Sequence, residues 1–215
     1  IGAHWTNWQN TPGLKEFLEA HAGELHGQKP FFYFQHPHPK NTCSGEWAWG
    51  QDNGEVTEAL SQFSNCIAFS GHSHLVLNDE RTIWQGAFTS VGTASLSYTY
   101  SLGGRENDKI DGGAAYPSQM RAIDQSDGKQ GMLMTVYADA VALERWDFMY
   151  SKPLADNWII PLPAAQGDKP LSFETRARKA VAPQFLKDDK PTVSRGKGKD
   201  RQGKEQMQVT VHFPN

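Results

Sequence analysis

The chain has 215 residues, of which 38% are apolar and 11% aromatic, values that suit a folded body with one good core. The formal net charge is −3, but residues 176–204 carry ten basic and three acidic residues, so this stretch holds +7 and the remainder −10. An acidic body argues against a nucleic-acid-binding surface, and we interpret the basic stretch as a solvated linker. No apolar run approaches the ~20 residues that cross a bilayer.

Periodicity predicts an alternation of helices and strands in the first third of the chain. Apolar residues at helical spacing predict helices, and short continuous apolar runs predict buried strands. The predicted elements are a helix over 13–25, a strand over 31–35, a long loop over 37–53, a helix over 54–64 and a strand over 66–70. Helix–strand–helix–strand order is typical of parallel βαβ pairing, so the sequence predicts an α/β fold.

The pattern becomes β-rich after residue 80. Thr, Ser, Tyr and apolar residues predict strands over 82–90 and 92–100, and period-two alternation predicts a hairpin of 131–137 with 140–148. The Gly- and Asp-rich stretch 101–130 is typical of a loop. The later predictions are an extended strand over 158–163, a Lys/Gly-rich passage over 194–204 and an alternating run over 207–213.

Three histidines follow the two buried strands of the first third. His36 comes directly after the first strand, and His72 and His74 follow the second. Polar loops at strand ends are where α/β proteins usually place their chemistry, and imidazole is a good ligand for Zn, Fe and Mn ions. A lone histidine there is more often an ordinary hydrogen-bonded residue, but three with this spacing favour a metal site.

Two further residues near these histidines have open interpretations. His38 is a candidate catalytic residue that either contacts a substrate phosphate or orients a metal ligand, and the alternative is a solvated loop histidine. Ser73 fits a small spacer better than a nucleophile, because no His/Asp relay accompanies it. Cys43 and Cys66 are too few for a disulfide scaffold, and we expect both to be unpaired.

The histidine motifs resemble the last two ligand blocks of the calcineurin-like metallophosphoesterases, over about residues 1–165. The matching segments are Gln35-His36-Pro37-His38-Pro39 and Gly71-His72-Ser73-His74. The resemblance implies the C-terminal portion of a four-layer α/β/β/α sandwich over 1–165. Residues 166–215 would then be a linker and the start of a small Ig-like or fibronectin-like β domain, and the protein would be secreted or periplasmic, as in bacterial members with such a domain.

The resemblance also implies hydrolysis of a small phosphomonoester or phosphodiester by water activated between two divalent ions of Mn, Zn or Fe. His36 and His72 would bind one ion and His74 the other. The family's earlier blocks, Asp-x-His, Gly-Asp-x-x-Asp and Gly-Asn-His-Asp/Glu, do not occur in this sequence. We therefore expect an incomplete fragment that binds one ion weakly or none, has little activity alone, and can self-associate through an exposed sheet edge.

A second hypothesis belongs to a different class of protein. Trp47 and Trp49 lie in the loop after His38, where they could form an aromatic wall for a base or sugar or could cover a sheet edge. With the aromatic residues at 98–100 they also suit a non-catalytic module that binds glycans or a partner protein. Hydrolysis that depends on added metal would favour the enzyme, and glycan binding that survives a chelator would favour the module.

Overall fold

A computed structural model describes residues 13–43, 52–102, 120–122, 129–163, 169–181, 190–199 and 203–212. The fold is mixed α/β, with several small sheets and few helices in these ranges. The chain divides into two compact units, Ile1–Lys179 and Ala180–Asn215. No helix in the described ranges is long and apolar enough to span a membrane.

The first sheet carries the two strands predicted to precede the histidines. Its strands, in spatial order, are β1 (Phe31–Gln35), β2 (Cys66–Ser70), β4 (Thr89–Gly92) and β3 (Ile83–Gln85). Strands β1, β2 and β4 are parallel, and β3 is antiparallel to β4. The βαβ prediction is therefore confirmed, and β2 is buried along its whole length because both faces of the sheet are covered.

Helices cover one face of this sheet. They are α1 (Leu14–Ala20), α2 (Ala22–Leu25) and α3 (Glu55–Leu60). Leu14, Leu18, Val56 and Leu60 are buried in one cluster with Tyr33 of β1. These side chains recur at helical spacing in α1 and α3, so each of these two helices turns one apolar stripe toward the sheet.

A second sheet covers the opposite face. Its strands are β7 (Gln130–Val136), β8 (Ala140–Asp147), β9 (Lys152–Pro153) and β10 (Trp158–Pro161), with β8 paired to the other three. Ile67 and Val91 of the first sheet form a buried cluster with Val141, Leu143 and Ile160 of the second. The order of layers is therefore helix, sheet, sheet, and the predicted hairpin and the strand from 158 are confirmed.

The prediction of two long strands over 82–90 and 92–100 is wrong. A tight turn at Gly86 reverses the chain, so this region forms the antiparallel pair β3 and β4 and β4 ends at Gly92. The predicted loop 101–130 also contains one short antiparallel pair, formed by β5 (Tyr100–Leu102) and β6 (Met120–Ala122). Period-two composition alone did not show where the strands break.

The basic stretch 176–204 is not wholly a linker, and this correction concerns two elements. Helix α4 (Phe173–Lys179) ends the first unit, and β11 (Thr192–Lys199) pairs antiparallel with β12 (Glu205–His212) in the second. Lys and Gly alternate in β11, so its basic side chains occupy one face of a ladder rather than a coil. The sequence-based boundary at 165/166 stays a prediction.

The two-sheet core predicts a strong contrast between two leucines on neighbouring strands. Leu143 is 0% exposed between the sheets, whereas Leu133 is 49% exposed. We expect Leu143→Ala to lower the free energy of unfolding by about 2–5 kcal/mol, because it removes buried apolar contacts and leaves a cavity. The matched control Leu133→Ala should cost about 1 kcal/mol or less. Urea denaturation measures both, and equal losses would contradict this core.

Candidate metal centre

The three predicted ligands lie together at one edge of the first sheet. Since β1 and β2 are parallel, with Gln35 opposite Ser70, both chains leave the sheet at the same edge. His36 follows β1, and His72 and His74 follow β2. The backbone N–H of Gly71 donates to the carbonyl of His36 at 3.0 Å, so the pairing extends one step into the loops. The carboxyl ends of parallel strands are the usual place for a ligand site.

His36 and His72 are in direct contact. The Nε2 atom of His36 lies 3.1 Å from the Nδ1 atom of His72, with the rings at 70° to each other. In this arrangement one ring nitrogen donates a hydrogen bond and the other accepts it. Two nitrogens bound at ~2.0–2.1 Å to a tetrahedral ion lie about 3.3–3.4 Å apart, so these rings would admit an ion if they separated slightly and the donating ring moved its proton to its other nitrogen.

His74 is the third histidine of the cluster, two residues after His72 in the same loop. Its ring packs against Tyr98, with ring centroids 4.4 Å apart. Positive charge on His74 would nevertheless lower the pKa of both His36 and His72, which shows that the three rings share one electrostatic environment. The structure thus brings the three sequence-predicted ligands together, as a close pair with a third ring nearby.

The loop that carries two of these histidines has an unusual backbone. His72 and His74 have φ values of 57° and 53°, in the left-handed region that only a few per cent of non-glycine residues adopt, although Asn, Asp and His do so more often than the others. Such conformations cost on the order of 1 kcal/mol or more each, and they concentrate at functional sites where the surrounding structure holds them. Two of them within three residues support the choice of this loop as a candidate site.

Burial lowers the pKa of all three imidazoles. Burial, and to a smaller extent the neighbouring His36, His38 and His74, together lower the pKa of His72 to about 4. Burial also lowers the pKa of His36 and of His74, although a backbone hydrogen bond with Tyr98 partly offsets the effect on His74. A neutral imidazole keeps one ring nitrogen with the lone pair that a metal ion needs, so protons compete weakly for this cluster near pH 7.

His38 lies behind the cluster, buried under the loops. Its ring is 4% exposed, with Nδ1 2.7 Å from Ser70 Oγ and Nε2 2.6 Å from Ser73 Oγ. Of the interpretations weighed from the sequence, this position does not fit a solvated loop histidine. It fits orientation of a ligand better than contact with a substrate. The catalytic assignment of His38 stays a prediction.

Sequence reasoning missed the partner of His38. Cys43 Sγ lies 3.3 Å from His38 Nδ1 and accepts a hydrogen bond from Ser90 Oγ at 3.4 Å. Burial alone would lower the pKa of His38 and raise that of Cys43. The mutual attraction of their charged forms and their hydrogen bond outweigh burial, so the pKa of His38 is raised and that of Cys43 lowered. Both cysteines are free, as expected, and burial raises the pKa of Cys66.

The set of metal ligands found among the described residues is incomplete. Among the described residues, no group of three or more His, Cys, Asp and Glu converges closely enough to hold a metal ion. The buried carboxylate of Asp52 instead accepts hydrogen bonds from the backbone N–H groups of Lys40 and Gly54. Neutral imidazoles fit zinc, cobalt or iron, whereas a pair of ions needs bridging carboxylates as well. Trp47 and Trp49 lie outside the described residues.

Comparison with protein-family models, with curated proteins and with solved structures finds no match for this chain. The resemblance to calcineurin-like metallophosphoesterases therefore depends on the two histidine motifs in the sequence. What the geometry adds is local: the motifs follow adjacent parallel strands, and two of the three histidines are in contact.

The lowered pKa of His72 predicts a pH-dependent contribution to stability. Between an ordinary pKa of ~6.5 and about 4 the unfolded chain binds a proton at this histidine more readily than the folded chain, so acid favours unfolding. We expect the free energy of unfolding to fall less between pH 7 and 4 in His72→Asn than in the wild type. Asparagine tolerates the left-handed backbone, which keeps the loop comparable. Urea titrations with a chelator present measure this, and parallel pH curves would contradict it.

Proposed function

We propose that this chain carries histidine ligands of a metal-dependent phosphoesterase, which hydrolyses a small phosphomonoester or phosphodiester. The observation that carries the proposal is the 3.1 Å contact between His36 Nε2 and His72 Nδ1 at the carboxyl edge of a parallel sheet. The two motifs that supply these residues are the same two that resemble the family's last ligand blocks. The helix–sheet–sheet order of layers supports a place for this chain in the family's four-layer sandwich.

The chemistry of the ligands suits an anionic substrate. A divalent ion bound here would polarise a phosphoryl oxygen and lower the pKa of a water molecule. His36 and His72 are neutral, so they leave the charge of such an ion uncompensated. A site that keeps its full positive charge attracts a phosphoester dianion or monoanion more strongly than a carboxylate-rich site does.

The roles of the individual residues follow the resemblance. His36 and His72 bind one ion, and His74, which packs against Tyr98, is the ligand for a second ion. Because the described residues supply no carboxylate to bridge two ions, we propose that this chain by itself binds one ion, weakly. A secreted or periplasmic location belongs to the same proposal, since it depends on the same resemblance.

Metal titration of matched histidine variants tests the proposed function. We expect wild-type protein to bind about one Co²⁺ per chain, with the visible absorption of nitrogen ligation. His36→Asn and His72→Asn should each weaken Co²⁺ binding by roughly 100-fold or more, since changes to groups that merely support a ligand cost 10–100-fold. The control is His26→Asn, because His26 stacks on Phe63, which belongs to the core cluster between the helices and the first sheet. Isothermal titration calorimetry measures the affinities.

The same proteins decide between the enzyme and the binding module. We expect hydrolysis of bis(p-nitrophenyl) phosphate or p-nitrophenyl phosphate to be weak, to require Mn²⁺ or Zn²⁺, and to disappear in His72→Asn. Co²⁺ binding that is unchanged in His36→Asn and His72→Asn would contradict the proposed site. Binding to glycans that persists in a chelator, without any metal-dependent hydrolysis, would favour the module instead.

A further inference from the structure

We propose that His38 is a positioning residue that holds the ligand loop Gly71–His74 in place through the hydroxyl group of Ser73. This inference rests on the proposed function, because it concerns the geometry of His72 and His74 as ligands. It assigns to Ser73 a task other than that of a small spacer. His38 itself lies beneath the site and touches neither ion nor substrate in this role.

The first support is the way both nitrogens of the His38 ring are used. Nε2 contacts Ser73 Oγ at 2.6 Å, and Nδ1 contacts Ser70 Oγ at 2.7 Å. Ser70 Oγ in turn donates to the carbonyl of Val91 at 3.4 Å. One buried ring therefore joins the loop after β1 to the last residue of β2, to the ligand loop, and through Ser70 to β4. A buried side chain with all its polar atoms engaged holds its neighbours in one arrangement.

The second support is the place of Ser73 in the ligand loop. It lies between His72 and His74, whose left-handed backbone needs external restraint. Its backbone N–H donates to the carbonyl of Gly71 at 2.6 Å, and its Oγ lies 3.5 Å from the backbone nitrogen of Leu75. The Ser73 side chain is 4% exposed, so water does not replace His38 as its partner without rearrangement. Fixing Ser73 fixes the direction of the two flanking histidines.

The third support is the space built around the ring of His38. Gly92 ends β4 beside it, and a Cβ atom at Gly92 would lie 3.6 Å from His38 Cε1 and 2.8 Å from Thr82 Cγ2. Cys43 Sγ lies 3.3 Å from Nδ1 on another side. These contacts restrict the position of the His38 ring. Packing as well as hydrogen bonds therefore orients its Nε2 atom toward Ser73.

A double-mutant cycle tests whether His38 acts through Ser73. Ser73→Ala removes the hydroxyl group, and His38→Asn keeps a donor near the position of Nδ1 while removing the atom at Nε2. The control is Thr57→Val, which deletes the hydrogen bond from Thr57 Oγ1 to the carbonyl of Lys40 and so releases the same long loop at another point. The readouts are Co²⁺ affinity with its absorption spectrum, and the ¹⁵N shifts of the His72 and His74 rings in metal-free protein.

We expect Ser73→Ala and His38→Asn each to weaken Co²⁺ binding by about 10–100-fold and to alter the Co²⁺ spectrum. The double variant should be no weaker than either single one, because both remove the same connection. Thr57→Val should stay within about twofold of the wild type. Additive losses, or affinity unchanged in Ser73→Ala, would overturn the proposal.

The design separates this inference from the proposed function. If wild-type protein binds no Co²⁺, the proposed function fails, and the metal-free ring shifts then decide the positioning role. The positioning role is supported if Ser73→Ala, His38→Asn and the double variant all change the ¹⁵N shifts of His72 and His74 from the wild-type values by the same amount. It is overturned if the changes in the two single variants add in the double variant, or if there is no change. If His38→Asn does not fold, the comparison of Ser73→Ala with Thr57→Val decides alone.

Discussion

The parallel pairing of β1 with β2 is the constraint on which the histidine cluster depends. The register that places Phe31 opposite Cys66 and Gln35 opposite Ser70 makes both strands end at one edge. Helices cover one face and a second sheet the other, so β2 is wholly buried and the register is strongly specified. A slip of one residue would turn buried side chains to the wrong face and separate His36 from His72. Core packing thus supplies the precision of the site.

The four histidines at this edge of the sheet lie in two environments: an outer one that is half-exposed, and an inner one that is buried. On the outer side, burial lowers the pKa of half-buried His36, His72 and His74, and neighbouring histidines lower the pKa of His36 and His72 further. On the inner side, His38 meets Cys43 and serine hydroxyls, where its pKa is raised. One residue type therefore serves two purposes: neutral rings offer lone pairs to a ligand, and the inner ring satisfies buried polar groups. Ser73 is the point where the two sides meet.

Sequence periodicity located the parts of the fold that packing decides, including β1, β2 and the β7–β8 hairpin. It failed to predict where one strand ends and the next begins near Gly86, because the strand-like composition continues through the turn that joins β3 to β4. The three histidines were found because they follow apolar runs. Cys43 was not, since its contact with His38 depends on how the loop after β1 folds back. Ser70 and Ser90 gave a usable signal: polar residues within buried strands usually have a partner.

The most direct test of this account is anomalous diffraction from crystals soaked in Co²⁺ or Zn²⁺. We predict one peak between His36 and His72, at about 2.0–2.2 Å from Nε2 of the first and Nδ1 of the second. The same map shows whether His38 and Ser73 keep their contact beneath a filled site. A peak held by other residues, or an empty cluster at saturating metal in a well-ordered crystal, would contradict the claim that these histidines form a metal centre.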